Sequence, residues 1–245
     1  MDMTVERMIL NEKRHVILTA YLQPVGGEFF HIRRRPGILI LPGGGYRKCS
    51  EREADPVAYV YLKAGFQVFI LEYSVGEESV WPAPLQDYEQ SMELIRTNAD
   101  RWHLYSNRIA VVGFSAGGHL AGCAASLAVN KPNAAILGYA VTGGVKAVER
   151  YPEAPDVAAS IDKDTCPCFI FATRNDHVVP VESTVSLVTA LTAAGGAYES
   201  HIYAFGPHGV SIGGPALMHP SAEVCGRVLR WPEDSIEWLM EVFGM

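Results

Sequence analysis

Short apolar runs alternate along this chain with longer stretches of helical periodicity, and that alternation predicts βαβ units. Residues 15–23 alternate apolar and polar side chains before the turn signal Pro24-Val25-Gly26-Gly27, which predicts an early strand. Residues 37–41 are a short apolar run that stops at Pro42-Gly43-Gly44-Gly45. Buried parallel strands read this way because both of their faces are covered. Residues 51–64 predict a helix, with Val57, Val60 and Tyr61 at helical spacing and Gly65 placed to end it. A strand over 66–71 and a helix over 85–102 follow, separated by the loop around Trp81-Pro82-Ala83-Pro84. A strand over 108–112 runs straight into Gly113-Phe114-Ser115-Ala116-Gly117, and the Ala-rich residues 116–129 predict a helix. Further strands are predicted at 134–141, 168–173 and 197–205, with helices at 181–194 and 232–243. Pro232 suits the first turn of the last one. With no linker, low-complexity tract or internal repeat, residues 1–245 read as a single α/β domain: a mostly parallel central sheet flanked by helices.

Composition narrows the function. Acidic residues number 27 against 20 Lys plus Arg, for a formal charge of -7, in a chain that is 49% hydrophobic and 19% charged. That balance supplies material for a core and argues against whole-chain disorder. It also argues against nucleic-acid and anionic-membrane partners, which need clustered cations. The one dense basic run, Arg33-Arg34-Arg35, reads as a solvated strand or turn edge. Cys49, Cys123, Cys166, Cys168 and Cys225 are odd in number and include no C-x-x-C pair, so free thiols in a reducing compartment are expected. Charges interrupt the N-terminal residues and no 18-residue apolar run occurs, so neither signal peptide nor membrane span is expected, and the cytoplasm is the expected location. Oligomeric state is not legible.

The chemistry centres on Gly113-Phe114-Ser115-Ala116-Gly117. A G-x-S-x-G run carries meaning at a sharp strand-to-helix turn, where small neighbours let the serine hydroxyl project above the sheet edge. The following helix aims its first amides at that oxygen. A serine needs a base to take its proton, and the base needs an acid to orient it. In this arrangement acid and base follow the serine in that order, each past a later strand. Asp176 lies past the predicted strand 168–173, and His208 lies past the predicted strand 197–205. The competing acids are Asp162, Asp164 and Glu182, of which the first two precede the strand and the third opens a helix. His177 sits beside the acid, and His219 is farther along an irregular loop. His119, four residues after Ser115, is carried away on the outgoing helix and reads as structural. No histidine pair has metal-ligand spacing, so no metal is expected. Cys166-Pro167-Cys168 reads as a strand entry rather than a redox pair. An acyl-transfer intermediate also needs fixed donors for its oxyanion. The backbone amides of Gly44 and Gly45, joined by that of Ala116, are the candidates. The glycine run is neither G-x-G-x-x-G nor followed by G-K-[ST], so it does not read as a nucleotide cradle.

Taken together, these segments resemble the α/β-hydrolase superfamily, in its esterase/lipase group, and most of all its small acetyl-esterase and xylan-esterase-like members. The resemblance is carried by the segment from Leu41 to Tyr46, by the segment from Asn107 to Leu120, by Asp176-His177-Val178-Val179-Pro180 and by Pro207-His208-Gly209. Tyr73 and the segment from Trp81 to Leu85 add to it, and coverage runs from about residue 36 to the end. It implies an α/β-hydrolase fold with Ser115, Asp176 and His208 as catalytic residues and an oxyanion role for residues 43–45. No cofactor is implied. Pro42 departs from the H-G-G-G form of many relatives, as members of the acetyl-esterase-like group also do. The stretch 142–165, where larger relatives insert a lid, is short. The resemblance therefore implies a serine ester hydrolase acting on small or acetylated carbohydrate esters. An arylformamidase-like amidase, a serine peptidase on the same fold, and a non-catalytic ligand binder are the alternatives.

Overall fold

The computed structural model describes residues 3–28, 30–143, 153–220 and 222–245. Eight strands form one sheet: β1 (Thr4–Asn11), β2 (Val16–Leu22), β3 (Arg35–Leu41), β4 (Gln67–Glu72), β5 (Leu104–Phe114), β6 (Ala134–Gly138), β7 (Cys168–Thr173) and β8 (Tyr198–Tyr203). Their spatial order is β1-β2-β4-β3-β5-β6-β7-β8. β2 runs antiparallel to both β1 and β4, and every pairing from β4 to β8 is parallel. All residues of β3, β6 and β7 are buried, and the apolar runs that make up most of each suit strands covered on both faces.

The covering helices are α1 (Asp55–Lys63), α2 (Ala83–Thr97), α3 (Ala116–Ser126), α4 (Glu182–Ala194) and α5 (Trp231–Phe243). On one face Tyr88 and Met92 of α2, Leu120 and Ala124 of α3 and Leu187 and Leu191 of α4 pack on Leu39, Val111 and Ile170. On the other face Val57 and Tyr61 of α1 and Trp238 and Leu239 of α5 pack on Ile38, Val112 and Phe169. Trp231 opens α5 stacked on Phe171, with ring centroids 4.5 Å apart and planes 11° off parallel.

Several details differ from the sequence reading. β1 was not predicted: none of its residues is buried, so it has no apolar face to reveal it, and only its ladder to β2 places it. The helix predicted over 51–64 begins as a 3₁₀ turn, Glu51–Glu53, before α1. α2 ends at Thr97, short of residue 102, where the chain turns into β5. β6 stops at Gly138 because Tyr139 takes φ 35°, which a strand cannot hold. Arg35, expected on a solvated edge, is buried, its guanidinium donating to the carbonyls of Pro24 and Gly65. Arg34 keeps a partly exposed ion pair with Asp100. All five cysteines are free thiols. No helix among the described residues is long and apolar enough to cross a membrane. Of the stretch 142–165, residues 144–152 lie outside the described residues.

Candidate active site

Parallel strands deliver their C-terminal ends to one edge of a sheet, and ligands gather there in open α/β folds. Five ends matter here: those of β3, β5, β6, β7 and β8. β5 leads directly into Ser115, which has φ 54° and ψ −114° and stands at the N-terminus of α3. Such a backbone conformation costs about 1–3 kcal/mol in a non-glycine residue, so its surroundings must hold it. They do so through the Ser115 N–H, which donates to the Gly138 carbonyl at 3.0 Å, and through the Ser115 carbonyl, which accepts from His119 N–H at 2.9 Å. Gly117 lets the turn sit close, since a Cβ there would lie 2.1 Å from the Leu41 carbonyl oxygen.

The structure brings the three separated residues into one hydrogen-bonded line. His208 Nε2 is 2.9 Å from Ser115 Oγ, and His208 Nδ1 is 2.7 Å from Asp176 Oδ2. A carboxylate only accepts, so Nδ1 carries the proton and Nε2 is left to accept from the serine hydroxyl. The other Asp176 oxygen, Oδ1, accepts the amides of Val178 at 2.8 Å and Val179 at 2.9 Å. This carboxylate is buried and faces three N–H donors, which fixes its direction. The loops bearing acid and histidine are joined at Gly206, whose N–H donates to Asn175 Oδ1 and whose carbonyl accepts the Thr173 hydroxyl.

Beyond β3, Gly44 takes φ 130°, and a Cβ there would lie 2.0 Å from the Lys48 carbonyl oxygen. Only glycine fits. Among the described residues the amides of Gly44, Gly45 and Ala116 donate to no protein acceptor, whereas the Gly43 amide is taken by Glu53 Oε2 at 2.8 Å. Two unpaired glycine amides therefore adjoin the serine turn. Gly43 marks the contact, since its Cβ would lie 3.1 Å from Ser115 Cβ.

The other candidates fall elsewhere. Asp162, Asp164 and Glu182 are exposed, as are His177 and His219. His119 is buried, with Nδ1 accepting the Tyr46 hydroxyl and Nε2 donating to the Pro155 carbonyl, both at 2.8 Å. Cys168 Sγ points back to the Cys166 carbonyl at 3.2 Å. Three residues that hold the loops of the site escaped the sequence reading: Glu53, Tyr139 and Asn175. Tyr139 lies just past the end of β6, so the strand-end rule could have found it. Glu53 gave no such signal, because an acid at the polar start of a helix looks solvated.

A family model described as BD-FAE matches residues 31–136. Over 99% of its length the chain is similar to MGS-M1, an alpha/beta hydrolase enzyme from a Medee basin deep-sea metagenome library. The two are 36% identical, the match covers 99% of that chain, and the TM-score is 0.92. The chain is also similar to endo-1,4-beta-xylanase B of Butyrivibrio fibrisolvens, at 29% identity over 217 residues, and to acetylxylan esterase of Xylanibacter ruminicola, at 27% over 203 residues. These matches take 73% and 72% of this chain but only 33% and 41% of the relatives, so it spans well under half of their length.

Proposed function

The chain belongs to the α/β-hydrolase family, and from that premise we propose that it is a serine carboxylic ester hydrolase that removes acetyl groups from small or carbohydrate esters through an acyl-enzyme. The observation that carries the reading is the continuous line from Ser115 through His208 to Asp176, with contacts of 2.9 and 2.7 Å. In the proposed course, Ser115 Oγ attacks the ester carbonyl as His208 Nε2 takes its proton. Asp176 holds the tautomer and stabilises the imidazolium. The amides of Gly44, Gly45 and Ala116 receive the developing oxyanion, each such donor typically contributing about 2.7–4 kcal/mol. Collapse breaks the bond to the alcohol, which takes the proton from His208. Water, deprotonated by the same imidazole, then attacks the acyl-enzyme and releases acetate and the free serine. His208 hands the water's proton to the departing Ser115 Oγ, and the second water proton, left on the product acid, passes to solvent as acetate forms.

The acetyl and carbohydrate parts of the reading draw on the acetylxylan esterase relative and on the xylan-degrading name of the other. Ser115→Ala should leave a folded protein whose p-nitrophenyl acetate turnover is near background, and a fluorophosphonate should modify the wild type at Ser115 and not the variant. Full turnover in the variant would sink the proposal. A panel of acetylated xylo-oligosaccharides, simple esters and formyl amides tests the substrate class. If acetylated sugars are turned over no better than generic esters, the carbohydrate part falls and the esterase remains.

A further inference from the structure

Glu53 is a carboxylate 3% exposed, placed in the turn that follows the glycine loop, and the proposed chemistry gives it no part. Burying a charge is costly unless its acceptors are filled, and here they are filled by two groups of particular position. Oε2 accepts the Gly43 amide at 2.8 Å, and Oε1 accepts the Tyr139 hydroxyl at 2.6 Å. The Gly43 peptide immediately precedes the unpaired amides of Gly44 and Gly45 and lies against the serine turn, its Cβ position being 2.7 Å from the Phe114 carbonyl oxygen. Tyr139 reaches the opposite wall of the site: its ring meets the His208 ring edge-on, with centroids 5.1 Å apart and planes at 70°. Its hydroxyl also accepts the Ser211 amide at 3.1 Å, three residues past that histidine. Ser211 is itself held, its hydroxyl donating to the Arg52 carbonyl at 2.5 Å and its own carbonyl accepting the Trp231 indole at 2.8 Å. Burial first, and then Glu53, push the Tyr139 hydroxyl well above its ordinary pKa, so it remains a donor.

One carboxylate therefore joins the loop past β3 to the loop past β8 across the nucleophile. We propose that Glu53 is a positioning residue that, through Tyr139, sets the glycine-loop amides and the His208 imidazole in register with each other. The inference rests on the ester-hydrolase reading above. Its physical basis is that Glu53 is acceptor-only and faces two donors. Glutamine has the same shape but one acceptor, so either the Gly43 N–H or the Tyr139 O–H must lose its acceptor and meet an NH2 group in its place. A glycine peptide released from its acceptor can rotate, and the amides that follow it rotate with it.

The test is steady-state kinetics on p-nitrophenyl acetate, with fluorophosphonate labelling rates and melting temperatures, for wild type, Glu53→Gln, Tyr139→Phe and the double variant. Because misplacing a catalytic donor acts on the transition state, Glu53→Gln should lower kcat by about tenfold to a hundredfold with KM within about twofold. Labelling at Ser115 should slow in proportion. Tyr139→Phe should show a smaller loss in the same parameter, and the double variant should lose no more than Glu53→Gln alone, because the two act as one unit. Wild-type kcat in Glu53→Gln at any melting temperature, a loss confined to KM, or losses that multiply in the double variant would each overturn the proposal. If Glu53→Gln does not fold, the kcat and KM of Tyr139→Phe decide it by the same criteria. A wild type without turnover or Ser115 labelling would overturn the ester-hydrolase reading and this inference with it. An active wild type beside unchanged variants overturns only the inference.

Discussion

His119 shows how much a single residue's surroundings decide. One turn along α3 from Ser115, it is enclosed by the Tyr46 hydroxyl on Nδ1, the Pro155 carbonyl on Nε2, and the ring of Trp81 at 5.7 Å. Burial pulls its pKa below the ordinary histidine value, against the smaller upward pulls of the Pro155 hydrogen bond and of Asp156. The sign of the consequence follows from linkage. The unfolded chain takes up a proton near pH 6.5 while the folded chain resists it. Stability from this residue is therefore complete above about pH 6.5 and is lost as pH falls toward the folded pKa, at up to about 1.4 kcal/mol per pH unit. His119→Gln should cost about 1–3 kcal/mol at pH 8, where buried partners lose their bonds. The gap between wild type and variant should narrow between pH 7 and pH 5, as measured by urea unfolding at each pH. A gap that stays constant or widens on acidification would mean that the imidazole is not held neutral. The same contrast between position and surroundings separates what sequence revealed from what it concealed. Ser115, Asp176 and His208 stand where strand ends meet turn residues, so their approximate places could be read. Glu53 could not be placed, since its meaning lies in contacts with Gly43 and Tyr139, which no local pattern records.

Among the elements, strands buried on both faces were legible because apolar runs make up most of them, and β7 falls on its predicted bounds. β1 was hidden for the converse reason, being an edge strand with no buried residue and a sequence of mixed polarity. Helix ends shifted by several residues where the chain exits into a turn rather than at a glycine or proline. The junction of β5 and α3 was sharper, and its steric basis gives a prediction. A methyl group at Gly117 would press to 2.1 Å from the Leu41 carbonyl oxygen and 2.5 Å from that of Pro42, both backbone atoms that cannot turn aside. Gly117→Ala must therefore pry α3 away from β3, and should cost about 3 kcal/mol in urea unfolding. Ser115 should also lose its reactivity toward a fluorophosphonate. Gly226→Ala is the control, because a Cβ there meets nothing within 4 Å. Its stability should stay within about 0.5 kcal/mol of wild type. Equal stability of the two variants would show that the close approach of α3 to β3 is not what constrains the serine turn.

For the whole molecule, the proposed chemistry spans residues 44–208, and only one continuous sheet brings the ends of β3, β5, β7 and β8 to a common edge. The molecule carries a formal charge of -7, so its long-range field repels anions. An acetylated neutral sugar carries no charge for that field to act on, whereas an ester bearing a carboxylate does. Salt distinguishes the two, because the screening length shrinks from about 30 Å at 0.01 M to about 3 Å at 1 M. For a neutral acetyl ester, kcat/KM should vary by less than about twofold between low and high salt, since encounter is unsteered. For a carboxylate-bearing ester of the same size, kcat/KM should be lower at low salt and rise as salt screens the repulsion. Paired measurements on one neutral and one anionic acetyl ester across a sodium chloride series would test this. A steep fall with salt for the neutral ester would count against the prediction. A fall confined to the anionic ester would mean that local cations at the site outweigh the net charge, and the substrate class would then be sought among acidic sugar esters.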